Sequence, residues 1–234
     1  MATFVLVHGA WHGGWCWRRV EPFLRAAGHD VLTPTLTGLG ERAHLLSPQV
    51  GLATHVEDVA ATLACERRDD VVLVGHSYAG QVISGAAGAR PDGIALLVYL
   101  DAFVPEDGDR AIDLLPPQVA AHYRESVAEH GFGWLIPPRP LEVLGVTDPG
   151  DVAWLEPRLV PHPWRTYTDP VSVTAAGAAV PAAFVECTDW LRVFEPFARR
   201  AAERGWPVRE LASGHESMAT HPRELADVLL ELAG

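Results

Sequence analysis

Three residue types in this chain could together cleave an acyl bond: a serine, a late histidine and an aspartate between them. Ser77 lies in Gly75-His76-Ser77-Tyr78-Ala79-Gly80. The apolar stretch before it, Asp70-Val71-Val72-Leu73-Val74, predicts a buried parallel strand. The stretch after it, Gln81-Val82-Ile83-Ser84-Gly85-Ala86-Ala87, predicts a helix. A serine on such a sharp turn is lifted out of the sheet, close to backbone N–H groups and the positive end of the helix. Small residues are needed where strand and helix nearly touch, which accounts for Gly75, Ala79 and Gly80. Ala79 is acceptable there if its φ is negative. A plain glycine-rich β–α turn has similar composition, so the partners of Ser77 must distinguish the two. A phosphate-binding loop is excluded, because Gln81-Val82 stand where Lys-Ser/Thr would be required.

A serine hydroxyl needs a base, an acid that orients the base, and donors for the oxyanion. Of eleven histidines, His215, in Ser213-Gly214-His215-Glu216-Ser217, has the chain position and the loop context for the base. His8 and His76 sit inside motif turns and are expected to orient backbone; His221 starts a helix beside Pro222. Two carboxylates remain open as the acid. Asp189 follows the predicted strand that ends in Val185-Glu186-Cys187-Thr188, and Asp101 ends the one before it; both keep the order serine, acid, histidine. The oxyanion donors are expected to be the N–H groups of Ala10, in His8-Gly9-Ala10-Trp11-His12-Gly13-Gly14, and of Tyr78. Trp11, His12, Trp134 and Trp154 are the candidate substrate-binding residues. His8 and His12 are four apart, but on a glycine-rich loop rather than a helix, so no metal site is expected. No cofactor is implied.

The elements that must position these groups alternate. Strands are predicted at Thr3 to Val7, Asp30 to Leu36, Val71 to Gly75, Ile94 to Leu100, Ala182 to Cys187 and Val208 to Leu211. Helices are predicted at Trp15 to Ala27, Thr54 to Glu66 with Thr54 as N-cap, after the elbow, near Val193 to Arg204, and at Pro222 to Leu232. Such alternation implies an α/β fold with a mostly parallel sheet covered on both faces, binding ligands at the carboxyl ends of its strands. The rhythm breaks across 105–181, rich in proline and tryptophan, which predicts an inserted helical cap over a core made of 1–104 and 182–234.

Composition narrows the chemistry further. All eighteen basic residues are arginine, so lysine Schiff-base chemistry is excluded. The net charge of −12 argues against nucleic acid and anionic membranes. Three widely spaced cysteines suggest free thiols of a cytoplasmic protein. No apolar run reaches the about 18 residues of a membrane span. The expected partner is a small-molecule substrate, with a homodimer left open.

The sequence resembles one branch of the α/β-hydrolase superfamily: plant methylesterases, hydroxynitrile lyases and their bacterial esterase relatives. The resemblance runs through Phe4-Val5-Leu6-Val7-His8-Gly9-Ala10-Trp11-His12-Gly13-Gly14-Trp15-Cys16-Trp17, Ala26-Ala27-Gly28-His29-Asp30-Val31, Val72-Leu73-Val74-Gly75-His76-Ser77, Val185-Glu186-Cys187-Thr188 and Gly214-His215. It implies an α/β-hydrolase fold and a cofactor-free triad carried by Ser77 and His215, with Ala10 and Tyr78 as oxyanion donors. Three departures bear on function. The elbow ends in Ala79-Gly80 rather than two glycines. Asp189 follows Thr188 directly, which puts Trp190 at the family's acid position. Glu216 stands where the lyases carry lysine, and Gly9 where they carry threonine. The last two differences favour a carboxylic ester hydrolase acting on a small or aromatic ester. Two other readings stay open: a tailoring hydrolase or cyclase for a secondary metabolite, and a non-catalytic ligand-binding relative.

Overall fold

The computed structural model describes residues 1–66 and 68–234. Among the described residues eight strands run in chain order: β1 (Thr3–Val7), β2 (Asp30–Leu32), β3 (Val71–His76), β4 (Ile94–Leu100), β5 (Leu135–Ile136), β6 (His162–Pro163), β7 (Ala182–Cys187) and β8 (Val208–Leu211). Six form one parallel sheet in the order β2-β1-β3-β4-β7-β8. β1, β3 and β7 are buried throughout. Their near-continuous Val, Leu and Phe content follows from burial on both faces. Helices Glu21–Ala26, Leu52–Glu66, Ala79–Ala89, Glu195–Glu203 and Pro222–Ala233 pack around the sheet. This is the expected α/β-hydrolase architecture. Because every sheet strand points the same way, the loops after β1, β3, β4 and β7 all emerge at one edge.

Three boundaries differ from the sequence expectation. The helix expected from Trp15 to Ala27 is a 3-10 turn, Gly14–Arg19, followed by Glu21–Ala26. Pro22 lies in the first turn of the second piece, where a missing N–H costs nothing, and could not have continued the first. β2 stops at Leu32, two residues before Pro34, which cannot donate to a ladder. The helix expected to start after Thr54 begins at Leu52, whose N–H donates to Asp169 Oδ2 at 3.2 Å. A carboxylate from 117 residues away does the capping, so Thr54 is not needed for it.

The segment 105–181 contains helix Pro117–His130, four shorter α-helices and the antiparallel ribbon β5–β6. It lies directly on the loop after β1. Trp11 Nε1–H donates to the Ile136 carbonyl at 3.1 Å, and the Val160 N–H donates to the Trp11 carbonyl at 3.0 Å. Arg19 pairs with Asp151 on the flank. Among the described residues no helix is long and apolar enough to cross a membrane. Cys16, Cys65 and Cys187 are free thiols.

Candidate active site

Ser77 is the first residue beyond β3 and holds a left-handed φ of +57°. That conformation costs of order 1–3 kcal/mol for a residue with a Cβ, and the surroundings impose it. The Ser77 N–H donates to the Leu100 carbonyl at 3.1 Å, and the Ser77 carbonyl accepts from Gly80 at 3.1 Å and from Phe103 at 3.2 Å. A Cβ at Gly80 would collide with the Phe103 carbonyl, so the helix can come this close only with glycine there. Ala79 opens the helix and is not among the residues of positive φ, so its methyl is accommodated.

The structure separates the two carboxylates. Asp101 follows β4 with φ +42°, its N–H donating to Val185 O at 2.7 Å. It is fully buried, and its Oδ2 accepts the Nδ1–H of His215 at 2.7 Å. The Cys187 amide approaches its other oxygen at 3.4 Å. Burial pushes the Asp101 carboxyl up from its ordinary range, opposed by His215 and the Cys187 amide. Asp189 is exposed; only its backbone N–H engages the base loop, donating to Ser213 O at 2.9 Å. The expectation that kept Asp189 as an equal partner of His215 is therefore corrected: its side chain turns to solvent. Trp190 stacks on the His215 ring at 4.4 Å, and Phe194 at 5.3 Å. With Nδ1 committed to Asp101, Nε2 is the nitrogen left to exchange a proton.

The loop after β1 approaches the elbow at Gly9. A Cβ there would lie 2.8 Å from His76 Nδ1 and 3.0 Å from Ser77 Cβ. Ala10 and Tyr78 are both buried beside the serine, and Trp11 has φ +68°. His8 Nε2 accepts from Leu36 N–H at 3.1 Å, which leaves Nδ1–H to donate to the Gly9 carbonyl at 2.8 Å. Burial lowers its pKa to about 3, so the ring is neutral. His76 Nε2–H donates to the His215 carbonyl at 3.0 Å. Both rings orient backbone, as expected. His12 departs from expectation. It is 1% exposed, with Nδ1 2.6 Å from the Ala10 carbonyl and Nε2 facing Glu216, so both nitrogens serve the protein rather than a substrate.

Above the elbow lies a set of buried aromatic and imidazole rings. Tyr78 O–H donates to His55 Nδ1 at 3.0 Å, and His55 Nε2–H donates to Thr37 O at 2.9 Å. Burial brings the His55 pKa to about 4. The Tyr78 ring stacks on Tyr167 at 5.3 Å and meets His162 edge-on at 4.7 Å; Trp11 meets Tyr123 at 6.3 Å. Burial pushes the three phenols up, so they stay neutral. Sequence reasoning did not single out His55, Tyr123, His162, Tyr167 or Phe194; the aromatic content of the insertion was the one signal available. Trp134 is half-buried and gives its carbonyl to Trp164 N–H at 2.9 Å. Trp154 packs on Trp15 at 5.3 Å, beneath Arg19 and beside Arg158. One grouping of potential metal ligands, His76, His215 and Glu216, has donor atoms within 4.8 Å of one another. Two of its imidazoles already have protein partners through Asp101 and the His215 carbonyl.

Known proteins resemble this chain along nearly its whole length. Residues 4–228 match the alpha/beta hydrolase family, and the chain belongs to that family. It is 44% identical to a carbendazim hydrolyzing esterase from Nocardioides sp. (strain SG-4G), over 99% of this chain and 100% of that protein. It is 28% identical to methylesterase 7 from Arabidopsis thaliana, over 98% of this chain and 95% of that one. Among solved structures, an extracellular alpha/beta-hydrolase from a Paenibacillus species superposes with a TM-score of 0.87 at 23% identity, over 100% of this chain and 99% of the other. The protein is an enzyme of the carboxylic ester hydrolase type.

Proposed function

We propose that the protein is a cofactor-independent serine esterase that cleaves a small or aromatic neutral ester through an acyl-enzyme on Ser77. The observation that carries this reading is the 2.7 Å contact between His215 and buried Asp101, at the same sheet edge as the Ser77 elbow. His215 Nε2 takes the Ser77 hydroxyl proton as Oγ attacks the ester carbonyl. The Ala10 and Tyr78 amides hold the oxyanion. His215 returns the proton to the departing alkoxide, and the acyl group stays on Oγ. A water deprotonated by His215 then attacks, releasing the acid and restoring Ser77. Asp101 keeps His215 in the Nδ1–H tautomer and stabilises the imidazolium.

The neutral phenols and indoles near the elbow favour an uncharged aromatic substrate over an anionic one. The similarity to a carbendazim hydrolyzing esterase makes carbendazim, an aromatic methyl carbamate, the first specific candidate. The test is turnover of p-nitrophenyl butyrate and of carbendazim, with labelling by a fluorophosphonate. Both esters are expected to be cleaved with EDTA present, and Ser77→Ala to lose turnover and labelling. Equal rates for wild type and Ser77→Ala would remove the serine mechanism. Cleavage of the butyrate but not of carbendazim would keep the mechanism and discard that substrate.

A further inference from the structure

We propose that Glu216 and His12 form a second buried carboxylate–imidazole pair, which fixes the oxyanion loop to the loop of the catalytic base. This rests on reading Ala10 as an oxyanion donor and His215 as the base. Glu216 is the residue immediately after His215, and His12 is two residues after Ala10. Their facing atoms, Glu216 Oε2 and His12 Nε2, are 3.3 Å apart, and both side chains are 1% exposed. Neither atom has an aligned hydrogen bond, either to the other or to any further group, so each has no other buried polar partner than the atom it faces. Among the described residues, His12 is the sole ion-pair partner of Glu216. The other titratable groups around it are His76, His215, Cys16 and Cys187.

The Ala10 carbonyl decides where the protons are. It can only accept, so His12 Nδ1, 2.6 Å away, carries the N–H. If His12 were neutral and Glu216 ionised, a lone pair would face a carboxylate across 3.3 Å with no water access. The contact is favourable only with one proton between them, as an imidazolium and a carboxylate or as an imidazole and a carboxylic acid. Removing either partner leaves a buried polar group unpaired, the costly half of such a pair.

The pair acts on the oxyanion loop through peptide planes. The Ala10 N–H belongs to the Gly9–Ala10 plane, whose carbonyl is held by His8 Nδ1–H at 2.8 Å. The Ala10–Trp11 plane is held by His12 at its carbonyl. The two imidazoles thus clamp both planes flanking the Ala10 Cα, and Trp11 holds the left-handed φ that follows. On the other side, the Glu216 carbonyl accepts from Ala219 and Thr220 at 2.9 and 3.1 Å, which anchors its backbone at the start of helix Ser217–Thr220. Glu216 and His12 are positioning residues: they touch no reacting atom, and set the aim of one oxyanion donor relative to the base.

The experiment is steady-state kinetics on p-nitrophenyl butyrate for Glu216→Leu, Glu216→Gln, His12→Phe and the Glu216→Leu/His12→Phe double variant, with rates normalised to fluorophosphonate-titrated sites. Loss of a whole oxyanion donor costs about 10²–10³ in kcat, and a misaimed donor less. Glu216→Leu should therefore lower kcat by about tenfold to a hundredfold, with KM within about twofold. Glu216→Gln can donate an amide N–H to neutral His12 Nε2, and should recover most of that loss. The double variant should be no slower than the slower single one, because both remove one contact. Wild-type turnover in Glu216→Leu, no recovery in Glu216→Gln, or multiplying costs in the double variant would each overturn the pair. If Glu216→Leu does not fold, Glu216→Asp withdraws the carboxylate by one methylene, and unchanged kcat there would also overturn it. Activity retained in Ser77→Ala would instead reject the underlying mechanism.

Discussion

The floor of the candidate site and the insertion packed on it, the proposed lid, are built by different means. The floor consists of the loops after β1, β3 and β4. Each carries a non-glycine residue in the left-handed region: Trp11 at +68°, Ser77 at +57° and Asp101 at +42°. Backbone hydrogen bonds across the sheet hold the last two there, such as Ser77 N–H to Leu100 O and Asp101 N–H to Val185 O. The lid adds ring packing, Tyr167 on Tyr78 and Tyr123 against Trp11, to hydrogen bonds such as Trp11 Nε1–H to Ile136 O, Val160 N–H to Trp11 O and His215 N–H to Leu144 O. Strain imposed by a rigid sheet fixes reacting atoms to fractions of an ångström, whereas packed rings can be exchanged at moderate cost. Floor substitutions should therefore act on kcat, and lid substitutions on KM.

The largest expected effect lies in the floor. Asp101→Asn should lower kcat by about 10⁴, the scale set by the equivalent change in a serine protease, because an amide allows the wrong imidazole tautomer. Asp189→Asn should turn over like wild type, since its carboxylate is exposed. Steady-state kinetics on both variants checks this; a large loss in Asp189→Asn alone would reverse the assignment.

That contrast also marks how far the sequence could be read. The six sheet strands, the sharp turn at Ser77 and the loops that carry His215 and Gly9 were legible because each is a local pattern: an apolar run, a glycine-bounded turn, a histidine after the last strand. The choice between Asp101 and Asp189 was not, since it depends on which strand end faces His215 in three dimensions. The one-residue shift that puts Trp190 at the family's acid position was a usable hint, and the structure fills that place with an indole against the imidazole. His12 and the cap expected at Thr54 were misread for the same reason. The partner of His12 is 204 positions away, and Asp169 caps a helix from another part of the chain. No periodicity encodes such contacts.

A second test joins floor and lid through their neutral histidines. Burial holds His8 at about 3 and His55 at about 4, against an ordinary value of 6.5, and lowers His162 of the lid as well. The unfolded chain takes up these protons as the pH falls through 6.5, and the folded one does not. Their contribution to stability is complete above 6.5 and is lost progressively as the pH drops through 4 toward 3. Asp101, raised by burial, runs the other way: its contribution is present below 3.8 and lost as the pH climbs through its folded value. Between pH 7 and 5 the histidines outnumber it, so Tm should fall by several degrees over that range. His55→Gln can still accept from Tyr78 and donate to Thr37 without titrating, and should flatten part of the slope. Scanning calorimetry across pH checks both; a flat profile in wild type would mean these imidazoles are protonated in the fold.

A smaller effect is expected from the lid itself. Tyr167 offers its face to Tyr78 at 5.3 Å, and an aromatic pair is worth about 0.5–1.5 kcal/mol beyond area burial. Tyr167→Leu should raise KM for an aromatic ester by about threefold to tenfold, while kcat for p-nitrophenyl acetate stays within about twofold. A fall in kcat with KM unchanged would place Tyr167 in the floor's category.

The smallest effect should come from Trp154, and it tests where the lid ends. The sequence put this indole among the substrate-binding residues because it lies in the aromatic-rich insertion. In the fold it meets Trp15 edge-on at 5.3 Å, with the Arg19 guanidinium 4.3 Å above its ring and Arg158 at 5.7 Å. Arg19 is itself held by Asp151 and the Ala219 carbonyl. Trp154 thus fastens the insertion to the 3-10 turn Gly14–Arg19, away from the rings that meet Tyr78. Exposed cation–π contacts are worth about 0.5–1 kcal/mol, so Trp154→Leu should lower stability by roughly that amount in urea titration. The same variant should keep kcat/KM for p-nitrophenyl butyrate within about twofold of wild type. A tenfold loss of kcat/KM at unchanged stability would mean that the substrate reaches the flank of the insertion, and the border between fastening residues and lid would then move past Trp15.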